Sequence, residues 1–393
     1  MENNNLVNSV LESFSPRPPR PHVKALPGLY VHIPFCGSKC PYCDFYSVAS
    51  RAAIPAWLQA VQKEAILYKE RFHEFDSLYL GGGTPTILAE RELAELLECL
   101  HKHFTFCPES EMTIEANPDW LTRDKLKAVA DMGINRVSLG VQSLDDRDLK
   151  YLGRTHSSRQ ALKSLEMIRS CGFTDVGADL MYGLETQSIR GWRRTLDQIL
   201  EFGLEHISCY QMTFERGTPF WKMKATGRVQ SIGEKLEGAF FIWTSRYLDK
   251  HGYRHYEISN FARGREFMCR HNRKYWSHIP YLGLGPSAHS FHAGSRWWNV
   301  KSIKEYCRLL SEAKAPVEAC EVLSEEQMDL ETLDLGLRTS AGVDLHTLEG
   351  SLIIDKALAE LQKSGLVKVA NGRIQPTRKG FLVADSLALM LWG

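Results

Sequence analysis

Between residues 28 and 215 the sequence repeats one unit, a short apolar run followed by a stretch in which apolar residues have helical spacing. Each run is rich in Val, Ile, Leu or Tyr and is followed by Gly, Pro, Asn or Ser, which is typical of buried strands that end in turns. The runs predicted as strands are residues 29–33, 77–80, 112–115, 136–140, 175–181 and 206–210. Such alternation indicates a parallel sheet with right-handed crossovers.

Six units are too few for a closed barrel of eight strands. The pattern therefore predicts an α/β fold built as an open, partial (β/α)6 barrel of the TIM type. The helix before the second strand places Trp57, Val61, Ala65 and Tyr68 on one face. Later helices are predicted over residues 90–103, 123–131, 159–170, 191–201 and 232–251, and residues 252–262 indicate a further strand and turn.

The C-terminal sequence has a different pattern. A predicted helix over 352–363 is followed by a hairpin with an Asn371-Gly372 turn, a type I′ signal, and by a helix over 380–391. Helix, hairpin and helix in this order resemble a winged helix, so a small helical domain is expected. The predicted organisation is a flexible leader at 1–27, a barrel domain with an extension at 28–300 and a C-terminal domain at 301–393.

Composition limits the classes of partner. Lys and Arg total 48 against 47 Asp and Glu, so we expect no nucleic-acid partner. No apolar run approaches the roughly 20 residues that span a bilayer, so no transmembrane segment is predicted. The leader lacks the apolar segment of a secretory signal, and its prolines and acidic residues argue against a mitochondrial presequence. A cytoplasmic protein is therefore expected.

Three cysteines, Cys36, Cys40 and Cys43, lie in one short loop after the first predicted strand. Soft thiolates select zinc or iron–sulfur clusters, and a closed zinc site needs four protein ligands. Three thiolates on a [4Fe–4S] cube leave one iron open to a small molecule. The alternative is half a zinc site completed by a distant Cys or His, although no second CxxC follows. The other seven cysteines are interpreted as buried thiols.

Glycine-rich or polar segments follow the other predicted strands, at the edge where barrels of this type carry their chemistry. The glycines of residues 81–83 permit close backbone approach to a ligand, although alone they indicate only a tight turn. Glu115, Gln142, Arg154 and Asp179 lie in or beside strand ends. Each is compatible with a structural ion pair, and together they predict a polar wall for ribose hydroxyls, a carboxylate and a sulfonium.

An aromatic, histidine-containing segment at residues 271–276 has two interpretations. It is either a corner of the core, with His271 bonded to a backbone carbonyl, or a contact surface for a flat aromatic ligand whose iron the imidazole binds. Under the second interpretation the candidate residues are His271, Asn272, Tyr275 and Trp276. His289 and His292, further along the chain, are lesser ligand candidates.

These segments resemble the radical S-adenosylmethionine superfamily. Within it they resemble the branch of oxygen-independent coproporphyrinogen oxidases and HemW-type haem chaperones. The residues that carry the likeness are GLYVHIPFC (28–36), CPYCDF (40–45), GGGTPT (81–86), EANP (115–118), RVSLGVQS (136–143), LGRTH (152–156), DLMYGL (179–184), GYRHYEISNFA (252–262) and HNRKYW (271–276).

The resemblance implies that Cys36, Cys40 and Cys43 hold a [4Fe–4S] cluster whose open iron binds S-adenosylmethionine. Cleavage of that molecule by the reduced cluster would give a 5′-deoxyadenosyl radical. By the same resemblance, Tyr30, Gly82 and Glu115 serve this S-adenosylmethionine. The residues that match contacts to a second S-adenosylmethionine in the coproporphyrinogen dehydrogenase are Tyr42, Gly83, Thr84, Gln142, Arg154 and Asp179.

One departure separates the two kinds of relative. The dehydrogenase has a fourth cysteine two residues after the third, where this chain has Phe45. Phe45 and HNRKYW both resemble the chaperone type, for which decarboxylation of coproporphyrinogen III is not expected. The resemblance therefore implies a haem-binding protein that delivers haem to apoproteins such as respiratory enzymes and draws on a reductant for its cluster. A homodimer is compatible with such a carrier. The alternative functions are the dehydrogenase itself and a radical enzyme that acts on another tetrapyrrole or on haem.

Overall fold

The computed structural model of the chain describes residues 25–348 and 355–392. The predicted leader lies outside the described residues up to residue 24, and so do the first three residues of the helix predicted over 352–363. None of the helices in the described ranges combines the length and the apolar character that crossing a bilayer requires.

Six parallel strands, adjacent in chain order, form the centre of one sheet. Each contains one of the predicted apolar runs, and the strand order does not return on itself. The predicted open partial barrel is therefore confirmed. The strands are β1 (Gly28–Ile33), β2 (Glu74–Gly82), β3 (Thr105–Ala116), β4 (Arg136–Gln142), β5 (Asp175–Tyr182) and β6 (His206–Gln211).

The connections between these strands are mostly helical. They are α1 (Ile54–Tyr68), α2 (Glu90–His103), α3 (Arg123–Asp131), α4 (Asp146–Tyr151), α5 (Ser158–Ser170) and α6 (Ile189–Glu201). The start of α5 shows why the local sequence is helical, because Ser157 and Gln160 bond to each other's backbone N–H in a capping box. All but α4 are predicted from the sequence. Six residues contain too few turns for a helical period to be visible.

Further strands extend the sheet on both sides. β7 (Arg254–His255) and β8 (Asn260–Ala262) continue it beyond β6 and confirm the strand character predicted for 252–262. Four strands beyond β1 are not predicted, since each is only four to six residues long. These are β9 (Tyr281–Leu284), β10 (His289–His292), β11 (Ser295–Asn299) and β12 (Val317–Val322). The helices of this region are α7 (Pro219–Ala225), α8 (Glu234–Lys250), α9 (Arg270–Trp276) and α10 (Ile303–Ser311).

The two faces of the sheet have different environments. Leu29, Val31 and Ile33 of β1 are fully buried in the core formed with the helices. Because side chains alternate along a strand, Tyr30 and His32 point to the opposite, inner face. The polar residues discussed below share this inner face.

The inner face continues across the strands beyond β1. β9 pairs parallel to β1 with Gly283 opposite Tyr30. On β11, Trp297 packs on Tyr68 of α1 with a ring-centroid distance of 6.0 Å, on the helix side. The next residue, Trp298, therefore lies on the inner face.

The C-terminal part contains a small three-stranded sheet and four helices. The predicted hairpin is confirmed, with positive φ at Asn371 and Gly372 as a type I′ turn requires. The helix predicted over 380–391 is divided in two. The elements are α11 (Glu325–Leu337), β13 (Val343–Asp344), α12 (Asp355–Lys363), β14 (Val367–Ala370), β15 (Arg373–Pro376), α13 (Arg378–Phe381) and α14 (Ala384–Leu391).

The boundary predicted at residue 301 stays a prediction. Ile303, Tyr306 and Leu310 of α10 lie in the same core as the barrel helices, and β12 is an edge strand of the large sheet. A separate core begins with Leu333 of α11. These contacts favour a division after β12.

A buried carboxylate ties α1 to the extension beyond β1. Glu64 has no exposed surface and accepts hydrogen bonds from the Tyr306 hydroxyl, from Asn299 Nδ2 at 2.6 Å and from the backbone N–H of Gly285 at 2.8 Å. Burial raises the pKa of Glu64 from 4.5 to about 7, although these hydrogen bonds oppose the shift. The folded chain therefore binds a proton here more tightly than the unfolded chain does.

This difference predicts a pH dependence of stability. A carboxyl with a raised pKa in the folded state loses stability as pH rises from about 4.5 to about 7, here by at most about 3 kcal/mol. The Gln side chain of Glu64→Gln cannot titrate, and it has one acceptor oxygen fewer. We therefore expect this variant to have a lower free energy of unfolding than the natural chain at pH 5. At pH 7.5, where the natural chain has lost this stabilisation, the two values should approach each other. Denaturant unfolding at the two pH values measures the gap.

The exposed Glu201→Gln provides the matched control, and its gap to the natural chain should not change with pH. A gap for Glu64→Gln that is equal at pH 5 and pH 7.5 would contradict the prediction.

Candidate functional site

The loop after β1 that carries the three cysteines is closed at its base by backbone hydrogen bonds. The N–H of Val48 donates to the carbonyl of Pro34 at 2.8 Å, and the N–H of Cys36 donates to the carbonyl of Val48 at 3.0 Å. Within the loop, the N–H of Cys43 donates to the carbonyl of Cys40 at 3.2 Å. These hydrogen bonds therefore fix the position of the cysteine loop at the C-terminal edge of the sheet.

The three thiols are free and partly exposed. Burial, together with the nearby thiols of Cys40 and Cys36, raises the pKa of Cys43 to about 11. Its thiolate is thus unfavourable until a cation is bound, so deprotonation and metal binding are coupled. Within the described ranges, no three His, Cys, Asp or Glu side chains are grouped as ligands of a single metal ion. The assignment of the three thiols to an iron–sulfur cluster and the zinc alternative both stay predictions.

The glycine loop after β2 packs directly against the start of the cysteine loop. The N–H of Gly83 donates to the carbonyl of Ile33 at 2.8 Å, and the N–H of Thr84 donates to the carbonyl of Phe35 at 2.7 Å. A Cβ at residue 83 would lie 2.5 Å from the carbonyl oxygen of Phe35. Glycine is required here by close backbone contact. The Thr84 hydroxyl, in turn, lies 3.7 Å from Cys36 Sγ as a donor.

Two carboxyl groups, those of Glu115 on β3 and Asp179 on β5, lie on the inner face of the sheet. Glu115 of β3 accepts from the N–H of Gly82 at 3.2 Å and from the Tyr79 hydroxyl at 2.8 Å. Burial and the Asp179 carboxylate raise the pKa of Glu115 to about 7. Burial also raises the pKa of Asp179, which accepts from the Ser138 hydroxyl at 3.2 Å. A cationic ligand bound here would stabilise both carboxylates.

Arg154 links the end of β4 to the cysteine loop. Its Nη1 donates to Cys40 Sγ at 3.6 Å and its Nη2 donates to the carbonyl of Gly140 at 3.1 Å. Gln142 ends β4 with φ of 64°, at the point where the register with β5 shifts. Positive φ is uncommon for a residue with a side chain and is often found at functional sites.

A small open cleft lies beside the cysteine loop. On its wall the Asn117 Oδ1 atom is buried and has no hydrogen-bond partner among the described residues. An unsatisfied buried acceptor is costly, and a ligand donor would relieve it. The lining residues are Gly37, Ser38, Cys40, Thr84, Asn117, Asp119, Trp120, Gly153, Arg154 and Thr155.

The structure thus brings most of the predicted site residues to one edge of the sheet. The residues that meet there are Cys36, Cys40, Cys43, Gly82, Gly83, Thr84, Glu115, Gln142, Arg154 and Asp179. Tyr30 lies deeper on the inner face, where its hydroxyl bonds to His32 Nδ1 at 3.1 Å. The ring of Tyr42 packs near Phe220 in an apolar cluster under the loop.

Two contacts in this site are not predicted from the sequence. Tyr79 and Ser138 donate to Glu115 and Asp179 from the neighbouring strands. The signal that would have found them is the alternation of side chains, which places both residues on the inner face once the strand register is known.

The HNRKYW segment forms α9 and lies under the N-terminal ends of β1 and β2, at the opposite end of the barrel. His271 is 1% exposed, and its ring nitrogens bond to the hydroxyls of Ser77 at 3.2 Å and Tyr275 at 2.8 Å. Burial lowers the pKa of His271 to about 3. These contacts favour the core-corner interpretation, with hydroxyls in place of the expected carbonyl. The haem-binding role of His271, Asn272, Tyr275 and Trp276 stays a prediction.

Comparison with known proteins covers nearly the whole chain. Residues 30–199 match the Radical SAM superfamily, and residues 323–383 match the HemN C-terminal domain. The heme chaperone HemW of Bacillus subtilis is 34% identical over 372 residues, which are 91% of this chain and 97% of that protein.

Two further relatives broaden the comparison. A mitochondrial protein of Bos taurus named radical S-adenosyl methionine domain-containing protein 1 is 33% identical over 92% of this chain and 86% of its own length. The structure of coproporphyrinogen III oxidase (HemN) from Escherichia coli, described as a radical SAM enzyme, has a TM-score of 0.83 and 25% identity. The match covers 98% of this chain and 92% of that one.

The close contact at residue 83 predicts a large effect of one methyl group. Gly83→Ala places a Cβ against two backbone carbonyls that cannot move without opening β1, so we expect a loss of about 2 kcal/mol or more in the free energy of unfolding. Thermal unfolding measures the change.

Gly238→Ala is the matched control, because residue 238 lies inside α8 and its new Cβ would make only ordinary contacts with Leu382. That variant should be neutral or up to about 1 kcal/mol more stable. Equal stabilities of the two alanine variants would show that residue 83 has room for a side chain.

Proposed function

The chain belongs to the radical S-adenosylmethionine superfamily and, within it, to the family of the HemW haem chaperones, and on that premise we propose that it carries haem to apoproteins that require it. The observation that carries the proposal is the likeness to a named haem chaperone over nearly the full length of both chains. Because the likeness includes both the barrel and the C-terminal part, it supports a shared function and not only a shared barrel.

Membership of the superfamily implies a [4Fe–4S] cluster and S-adenosylmethionine. In the proposal, Cys36, Cys40 and Cys43 hold the cluster. Three free thiols on a closed loop, with the Thr84 hydroxyl and Arg154 guanidinium directed at two of the sulfur atoms, fit this group. When bound, such a cluster supplies an open iron and an electron for S-adenosylmethionine. Donors to the sulfurs stabilise their negative charge.

The chain's own groups would position S-adenosylmethionine at the same edge. Glu115 and the backbone of Gly82 and Gly83 form a cradle suited to an ammonium group, since the Glu115 carboxylate has no cationic partner among the described residues. Gln142, Arg154 and Asp179 offer groups for hydroxyls and a carboxylate. Tyr30, Tyr42 and Thr84 complete the proposed set.

The haem, the apoprotein and the reductant are the proposed partners. A carrier role requires that haem be bound where an apoprotein can reach it. Cluster, S-adenosylmethionine and a reductant would support that role without a decarboxylation of substrate. The recipients in the proposal are haem-requiring proteins such as respiratory enzymes.

A second candidate is the oxygen-independent coproporphyrinogen III dehydrogenase. The overlap with the Escherichia coli enzyme at a TM-score of 0.83 favours it. Phe45 argues against it, because the resemblance expects a fourth cysteine at this position in the dehydrogenase. The Phe45 side chain is 61% exposed beside the cysteine loop.

The first prediction concerns the cluster. Cys40→Ser removes one of three sulfur ligands, so we expect the visible absorption of the anaerobically reconstituted cluster to be lost. Cys307→Ser, which changes a partly exposed thiol on α10, should keep the absorption and four iron per chain. A Cys40→Ser protein with a full complement of iron and sulfide would contradict the ligand assignment.

The second prediction separates carrier from enzyme on one anaerobic preparation. Titration with haem should give a stoichiometric Soret band. Incubation with reductant, S-adenosylmethionine and coproporphyrinogen III should give no decarboxylated product. Several turnovers of product would replace the carrier proposal with the dehydrogenase, and absence of haem binding would remove the carrier proposal.

A further inference from the structure

We propose that His289 of β10 is the side chain that binds the haem iron, on a surface it forms with Trp298 and Lys301. The inference rests on the haem-carrier function proposed above and assigns a site to it. It differs from the assignment to His271, which the family resemblance suggests.

The first argument is the state of the imidazoles on the inner face. His32, His206 and His271 are buried, and each has a ring nitrogen bonded within the protein. His289 is exposed, and neither of its ring nitrogens has a hydrogen-bond partner in the described part of the chain. An iron ligand needs a free nitrogen that a large cofactor can reach, and His289 alone among these four meets both conditions.

The second argument is the position of His289. Phe291 of β10 pairs with Tyr281 of β9, and antiparallel pairing brings His289 to the level of Gly283 and hence of Tyr30. The carbonyl of His289 packs over Gly283, where a Cβ would be 2.2 Å away. The imidazole therefore sits on the inner face, on the same sheet as the cysteine loop.

The third argument is the aromatic surface beside the imidazole. His289 pairs directly with Trp298 of β11, and their rings stack with centroids 5.8 Å apart and an interplanar angle of 24°. Trp298 is only partly buried. An indole next to an available nitrogen is suited to a flat apolar macrocycle with a metal at its centre.

The fourth argument is charge. Burial, Lys301 and Arg296 lower the pKa of His289, so the imidazole is neutral at pH 7, the form that binds iron. Arg296 is already paired with Glu321 and Glu331. Lys301 has no such partner among the described residues and is the cation open to a haem propionate. Imidazole, indole and ammonium together match the three chemical parts of haem.

The experiment uses the full-length protein and ferric haem. The natural chain should bind with the Soret band of an imidazole-ligated iron. His289→Gly should weaken binding by at least about tenfold and shift that band, and added free imidazole should restore its position. His289→Met should bind with a changed ligand signature in the electron paramagnetic resonance spectrum. Trp298→Ala should weaken binding without moving the band.

His101→Gly is the matched control, since His101 is an exposed imidazole against the Phe106 ring on the helix side of the sheet. It should behave as the natural chain does. A natural chain that binds no haem overturns both the carrier function and this site. Two results overturn the site while the carrier function stands. The first is haem binding that is unchanged in His289→Gly. The second is binding that is lost in His289→Gly, is not rescued by imidazole and shows no new signature in His289→Met. A spectral change found only in His271→Gln overturns it as well.

Discussion

The arrangement at the C-terminal edge of the sheet depends on backbone hydrogen bonds that leave no room for a side chain at residue 83. Gly83 and Thr84 donate to the carbonyls at the end of β1, and Val48 and Cys36 close the base of the cysteine loop. These bonds hold two loops from different strands in direct contact. Without them, the Thr84 hydroxyl would not lie beside Cys36 Sγ, and Cys40 would not line a cleft with Asn117. Backbone contact, not side-chain chemistry, thus sets the geometry of the proposed cluster site.

The two ends of the barrel differ in how their buried charged groups are paired. At the N-terminal end the charges are paired, since Arg136 bonds to Asp175 at 2.7 Å and Glu111 accepts from the backbone N–H groups that begin α9. At the opposite edge, Glu115 and Asp179 accept hydrogen bonds only from neutral donors in the described part of the chain. Buried carboxyls without a cation are costly in the charged form. Such a pair is suited to a cationic ligand, which agrees with the proposed S-adenosylmethionine site at this edge, while α9 lies at the other end.

The strands beyond β1 enlarge this inner face and add a different chemistry to it. Glu64 holds them to α1 through three buried hydrogen bonds, so the extension is part of the core and not an appended flap. Its inner face carries the His289 imidazole and the Trp298 indole on neighbouring strands, and Lys301 follows β11. The proposed S-adenosylmethionine site and the proposed haem surface would therefore share one continuous sheet.

The six-strand barrel, the cysteine loop, the glycine loop and the type I′ hairpin were all determined by the sequence alone, because each depends on local periodicity or on residues adjacent in the chain. The strands β9 to β12 were not, since their sequences are short and acquire strand character only by pairing side by side along the sheet that continues beyond β1. Tertiary structure alone decided the environments of the histidines. Residues 271 and 289 are both histidines in the sequence. The imidazole of His271 is buried between two hydroxyls, whereas that of His289 is exposed and stacks on an indole. Burial and hydrogen-bond partners come from strands far apart in the chain, and no local pattern encodes them.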